Sequence, residues 1–434
     1  MAITHVVTYS SLPTLDELHA RVREAQQRLP LLNAIPEGAR TRSPMLVVSE
    51  PFDASDIVEN CAGVGDATSV LKAELGRMQA RKPHEPLWRV GVYPASKGGY
   101  LALSCNHVLM DGRGSFRLLS ALTASRDDPT SIFALPAEDG KHASYDATVM
   151  TAAGLGLLLK SVWREVIIPI LPIWLQRVFT GNDPWPGVVD SPLGHEWDIL
   201  SAGVDADTAA RLSKVGKEKG IKTLHPLIKA AYTAAVWAVF HTDEPLHLIS
   251  NTPRSDRDLA MGHSAITSVY TSLLNLDHEV RGTDDLWTLA RTAATFLRSK
   301  QADSVARQTF SMLRHLPDPK PKNGVTGWMQ YLSDRAHCPA PFFESVMVSN
   351  LGRFALPEAA TDYIWGQANH PSAYALGASV VGHQAGIRLT TNFWEGVPAD
   401  SAKIENLHRI WERVVGLMAD GTEGTIEEIT RKCM

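Results

Sequence analysis

The chain has 434 residues, is 44% hydrophobic and 21% charged, and carries 31 Gly and 26 Pro. That composition excludes disordered, collagenous and repeat-dominated classes, and the length exceeds what one compact core holds, so two subdomains are expected. With a net charge of −5 and a pI near 6.3 there is no surplus of Lys and Arg for phosphate contacts, which argues against a nucleic-acid partner.

The start, MAITHVVTYSSLPTLDE, has neither a basic leader nor a continuous apolar stretch, so no signal peptide is read there. Residues 15–29, LDELHARVREAQQRL, place Leu15, Leu18, Val22, Ala25 and Leu29 on one stripe, and Pro30 stops the helix this predicts. Residues 86–105 alternate strand, Gly-rich turn and strand, a hairpin pattern. In its second strand Leu101, Leu103, Cys105 and His107 share one parity while Ala102, Ser104 and Asn106 share the other. Both faces are small or apolar, which predicts a strand buried in the centre of a sheet.

Residues 149–179 are strongly apolar but are interrupted by Lys160, Arg164 and Glu165 and kinked by Pro169 and Pro172. No uninterrupted span of about 20 apolar residues exists, so a buried or pocket-lining helical pair is expected, with weak membrane-surface contact as the other reading. The Gly- and Pro-rich run 181–196 reads as a linker. Residues 1–180 are therefore expected to form the first subdomain, 181–204 a crossover linker and 205–434 the second. The second opens with a helix from Asp205 that frays at Gly216–Gly220, then an apolar helix, HPLIKAAYTAAVWAVF, then a strand, LHLISN, at 246–251. The four cysteines, Cys61, Cys105, Cys338 and Cys433, have no ligand spacing and read as free thiols in a soluble cytoplasmic protein.

Most catalytic signatures are missing: there is no GxSxG, no HExxH and no GxGxxG after a strand. What remains is NHVLMDGRGS at 106–115, with His107, Asp111 and Gly112 in HxxxDG spacing at the exit of the buried strand. HASYD at 142–146 repeats the HxxxD spacing without the glycine or a preceding strand, so His142 reads as a surface residue. On residues alone, His107 is either a general base aimed by a rigid strand or a satisfied core histidine.

PLWRVGVYPASKGGYLALSCNHVLMDGRGSFRLLSAL resembles the CoA-dependent acyltransferase superfamily, which includes chloramphenicol acetyltransferase, plant BAHD enzymes, alcohol and trichothecene O-acetyltransferases and nonribosomal condensation domains. The order of ISNTPRSDRDL, VMVSNLGRF and HQAGIRLTTNFWEG along the chain is similar too. Condensation domains usually carry a doubled histidine where this chain has Asn106, and the BAHD motif DFGWG is absent. The resemblance implies an α/β fold of two chloramphenicol-acetyltransferase-like subdomains, each a mixed sheet with flanking helices, and a tunnel at their interface. It implies a monomeric acyl-CoA-dependent O-acyltransferase, most simply an O-acetyltransferase acting on a hydroxyl of a small specialised metabolite. Acyl-CoA (acetyl-CoA) is then a co-substrate, with no bound cofactor or metal. The alternatives are a condensation-type enzyme with a carrier-bound donor and a non-catalytic binding member.

By the same resemblance His107 is the general base. Asp111 turns away to pair with an Arg of the second half, for which Arg254 is the candidate, and Gly112 allows the tight turn. Asn350, Ser349 or Thr391 supplies oxyanion donors or bonds strand ends, and Lys214, Lys217, Lys219 and Lys222 meet CoA phosphates or form a solvated helix face.

Overall fold

The computed structural model describes residues 1–38, 41, 45–63, 65–82, 84–138, 149–163, 167–168, 171–179, 184–242, 245–260, 266–309, 311 and 327–434. His142, and Arg164, Glu165 and Pro169 of the apolar stretch, lie outside the described residues. The strands of the first part of the chain are β1 (Ala2–Tyr9), β2 (Ala34–Glu37), β3 (Met45–Val48), β4 (Val58–Asn60), β5 (Trp88–Pro94) and β6 (Gly99–Asn106). Those of the second are β7 (Trp197–Val204), β8 (Leu246–Ser255), β9 (Thr271–Val280), β10 (Glu344–Arg353), β11 (Ala360–Gln367), β12 (Tyr374–His383), β13 (Gly386–Glu395) and β14 (Pro398–Ala399).

Two large sheets with flanking helices result, an α/β architecture, and β2 and β3 form a small sheet of their own. The first runs β11-β1-β6-β5-β4, and the second runs β14-β13-β12-β10-β8-β9 with β7 added on β13. The predicted hairpin is β5–β6, and its tip needs glycine: at Gly98 φ is 76° and a Cβ would stand 1.9 Å from the Tyr9 carbonyl oxygen. β6 is central, between β1 and β5. Its Leu101, Leu103 and Cys105 join the core with Leu18 and Val22 of helix Leu15–Arg28 and with Leu118 and Leu119 of helix Gly112–Thr123. On the other face Ala102 packs with Val70, Leu71 and Leu75 of helix Ala67–Gln79. With helices on both faces, this strand has no polar side to show solvent.

The second core centres on helix Leu224–Phe240, buried over Pro226–Trp237 and packed with Trp411, Val414 and Val415 of helix Ser401–Ala419. A helix apolar all round is stable only in that enclosed position.

Two expectations need correction. The end of the expected linker 181–204 is strand β7, paired with β13 from Trp197↔Trp394 to Val204↔Ile387. Ile199 and Val204 are buried and most of its other residues half-buried, enough for an added edge strand, and the Gly and Pro density stops at Gly194. The stretch 149–179 is not a buried helical pair where it is described. Helix Leu155–Val162 buries no residue, and Leu155, Leu159, Trp163, Trp174, Val178 and Phe179 are exposed. Among the described residues no helix is long and apolar enough to cross a membrane.

The halves are stitched together by strand exchange. β11 follows β10 in the chain yet pairs with β1, from Ile3↔Gln367 to Tyr9↔Ala360. The Trp365 Nε1–H of β11 donates back to the Val380 carbonyl at 2.9 Å.

Buried neutral histidines give this fold a pH dependence. The His5 ring lies within hydrogen-bond distance of the Tyr363 hydroxyl (2.6 Å, Nδ1) and the Ser115 hydroxyl (2.7 Å, Nε2), and His408 bonds Thr391 at 2.8 Å. Burial lowers their pKa values to about 3 and about 4. Below pH 6.5 the unfolded chain takes up protons that the folded chain refuses, so stability is greatest above 6.5 and falls toward those values. The melting temperature should drop steadily between pH 7 and pH 4.5, and a flat profile by scanning calorimetry would contradict this.

Candidate active site

His107 sits one residue past β6, where its backbone N–H donates to the Met1 carbonyl at 2.9 Å. The side chain is half-buried and lines a cavity of about 840 Å³ walled by residues of both halves. Burial pushes its pKa below the ordinary 6.5; a hydrogen bond to its own backbone and the Asp111 charge pull the other way. At neutral pH the ring is therefore uncharged and has a free lone pair to accept a proton.

Asn106 occupies the position before it and accepts the Val108 N–H at 3.1 Å, tightening the turn. Asp111 caps the next helix, Gly112–Thr123, by accepting the Gly114 N–H at 2.9 Å. It does not face the cavity. Its Oδ1 accepts from Arg257 Nε at 3.1 Å and Nη2 at 3.0 Å, and its Oδ2 accepts the Tyr270 N–H at 2.8 Å. Both members of the pair are 1% exposed. Arg257 also donates to the carbonyls of Thr267 (3.2 Å) and Ser268 (2.5 Å), and the Ser268 N–H returns to the Leu109 carbonyl at 2.8 Å. The loop that carries His107 is thus clamped to the second half.

The expected partner Arg254 is corrected to Arg257. Arg254 lies within β8, where its Nη2 pairs with Asp256 at 2.9 Å and Nη1 reaches Asp303. Arg257 comes after β8 has turned, which carries its guanidinium across to Asp111. Arg254 still lines the cavity, as do Gly112, Ser349 and Asn350.

Thr391 does not. It is fully buried on β13, bonded to His408 and, at 3.3 Å, to the Tyr232 hydroxyl, because that face of β13 packs on helices Leu224–Phe240 and Ser401–Ala419. It is a core hydrogen bonder and cannot reach a substrate in this cavity. Asn350 uses its Oδ1 to accept the Gly352 N–H at 2.8 Å.

Gly112 faces Leu351, whose Cδ2 would stand 3.0 Å from an added Cβ. Gly114, which sequence reading passed over, is tighter: a Cβ there would meet the Ile266 carbonyl oxygen at 2.2 Å and Arg257 Nη2 at 2.8 Å. Overpacking a site this close costs about 1–3 kcal/mol or more. Gly114→Ala should lower the melting temperature and weaken the Asp111–Arg257 clamp; a variant with wild-type stability would refute that close approach.

The cavity has its shape because two neighbouring strands part. β8 and β10 pair only at Val346↔Ser250 and Met347↔Asn251, though both run on for several residues. Into the resulting gap open the His107 cavity and a second one of about 1060 Å³; Pro253, Arg254, Asn350 and Gly352 line both. Lys214 and Lys217 are on the wall of the second. Lys219 is not, since its Nζ reaches Glu423 at 2.6 Å and stands 4.9 Å over the Trp287 ring.

No family model and no curated protein matches the chain. Solved structures do. The epimerization domain of the third module of tyrocidine synthetase B is 13% identical, with 99% of this chain and 92% of that one covered at a TM-score of 0.60. Polyketide synthase associated protein 5 from Mycobacterium tuberculosis is 13% identical, with 95% and 94% covered at 0.62. The condensation domain of the monacolin K polyketide synthase MokA is 10% identical, with 98% and 93% covered at 0.62. At these identities the likeness defines the fold: the chain has the two-subdomain architecture those domains share with chloramphenicol acetyltransferase.

Proposed function

We propose that this chain is an acyltransferase of the condensation type, taking an acyl group from a pantetheine thioester on a carrier protein and passing it to a hydroxyl or amine. The single observation that carries this reading is His107, held by a clamped loop on the wall of a cavity that opens between the parted strands β8 and β10. In that role the neutral imidazole takes the proton of the acceptor as it attacks the thioester carbonyl, then returns it to the leaving thiolate, so no acyl-enzyme forms. The gap between the strands is where a pantetheine arm enters. The carrier-bound donor is favoured by the synthetase domains among the similar structures.

Acyl-CoA-dependent O-acylation is the second reading, and two observations favour it. Asn106 stands where condensation domains usually have their first histidine, and Lys214 and Lys217, two cations of the kind that pair with the phosphates of CoA, line the second cavity. Wild-type protein is given the same acyl group on CoA, on pantetheine and on a loaded carrier protein, with a panel of hydroxylated and amine acceptors and mass detection. Transfer fastest from the carrier supports the first reading, and transfer fastest from CoA the second. Failure with all three donors refutes both.

A further inference from the structure

We propose that His370 donates its Nε2–H to the thioester carbonyl oxygen as that oxygen becomes an oxyanion, so that two histidines act on the reacting centre from two sides. This rests on the acyl-transfer reading for the reaction, though not for binding of the thioester. His370 follows β11 in the turn ANHPSAY and lines the His107 cavity. Its place follows from the register of the first sheet. β6 and β11 both pair antiparallel with β1, so they run in the same direction, and Ile3 of β1 faces Cys105 on one side and Gln367 on the other. His107 comes two residues after Cys105, and His370 three after Gln367. Both therefore leave the same end of the sheet, two strand spacings or about 10 Å apart at the backbone. The His107 N–H donates to the Met1 carbonyl and the Ala368 N–H to the Ala2 carbonyl, each at 2.9 Å, so both exits are tied to the start of β1. That spacing leaves room for one carbonyl group between the two imidazoles.

The ring of His370 is set as a donor. The Ser372 N–H donates to its Nδ1 at 3.3 Å. The turn is itself anchored, since the Phe343 N–H donates to the Ser372 carbonyl at 2.9 Å and the buried Ser372 hydroxyl to the Leu332 carbonyl at 3.4 Å. An Nδ1 that accepts a hydrogen bond carries no proton, so in the neutral ring the proton is on Nε2. Burial, with the charge of the Met1 amine adding to it, holds the pKa below the ordinary 6.5 and keeps the ring neutral at pH 7. Nε2 has no partner among the described residues and is not sealed in protein, so its N–H opens on the cavity. A neutral imidazole fixed in this way polarises a carbonyl without giving up its proton. In the transfer, the acceptor atom bonds the carbonyl carbon and its proton passes to His107, while the carbonyl π pair moves onto the oxygen held by His370. The pair then reforms the carbonyl as the C–S bond breaks, and His107 gives its proton to the thiolate. His370 keeps its own proton throughout.

The two edges of the ring can be tested apart, with melting temperature as the check on folding. His370→Asn keeps an oxygen where Nδ1 accepts the Ser372 N–H but removes the cavity donor, and His370→Gln puts an N–H back near the place of Nε2. With S-acetyl pantetheine as donor, His370→Asn should lower kcat by about 100-fold or more, the effect of losing one oxyanion donor, with KM little changed. His370→Gln should recover part of that loss. A second readout needs no turnover. With the probe carrying carbon-13 at its carbonyl and bound to His107→Ala protein, the infrared carbonyl stretch should lie at lower frequency than in the double variant that adds His370→Asn. Wild-type kcat in His370→Asn, or one carbonyl frequency with and without His370, would overturn this role and leave acyl transfer standing. A shifted carbonyl that depends on His370, in a protein that transfers to no acceptor, would sink the reaction and support the hydrogen bond. Failure of the thioester to bind would overturn both.

Discussion

Replacing His107 with alanine is expected to lower turnover by about 100-fold or more, the effect of losing general-base catalysis, while the melting temperature stays near that of the wild type. The side chain is only half-buried and faces a cavity, so little packing is lost with it. The pH dependence should carry its signature. Burial lowers the pKa of His107, so the ring stays neutral and able to accept a proton to below pH 6.5. The acid limb of kcat/KM in the wild type should therefore fall at a pH lower than an ordinary histidine gives, and His107→Ala should lose that limb. Unchanged turnover in the variant would remove His107 from the mechanism.

Asp111→Asn should show a different pattern, a loss of stability and activity together. Asp111 and Arg257 are both sequestered from water, and the carboxylate also holds the Gly114 and Tyr270 N–H groups. Removing one charge of such a pair costs about 3–5 kcal/mol, largely because the guanidinium is left uncompensated. Activity should fall as well, since a histidine displaced by about 1 Å loses its attack geometry. Arg257→Ala should destabilise comparably. Arg254→Ala should do so less, because Arg254 is 24% exposed against 1% for Arg257 and pairs with Asp256 and Asp303 rather than with Asp111. If Asp111→Asn keeps full stability and strongly shifts the ionisation of the residual activity, Asp111 tunes His107 directly and the clamp is not its role.

What could be read from the residues alone was whatever depends on local pattern. The two small or apolar parities of 101–107 announced a strand covered on both faces, and the apolar run at 225–240 announced a helix. The HVLMDG string located the loop. Residues whose role depends on register were misplaced. Arg254 and Arg257 are three apart in PRSDR, and nothing local tells which of them precedes the end of β8 and which follows its turn. Thr391 lies in an LTTNF run where either parity was a reasonable choice for the cavity, and the helices packed on β13 decide it. Ser349 and Asn350 were placed on the cavity wall by their position on β10, although the hydrogen bond Asn350 makes is to its own strand end. The move of β11 into the first sheet leaves no mark in its own residues, because its partner β1 is more than 350 positions away. Gly114 had a faint signal, a second glycine in DGRG just inside a helix start, where a residue without a side chain is costly unless something approaches closely.

The central claim is that a pantetheine thioester reaches His107 through the gap between β8 and β10, and a crystal structure with a non-hydrolysable acyl-pantetheine amide tests it most directly. The account predicts the arm threaded past Pro253 and Arg254 on one side and Asn350 and Gly352 on the other, with the acyl carbonyl beside the His107 ring. An arm bound elsewhere, or an acyl carbonyl out of reach of that ring, would contradict it.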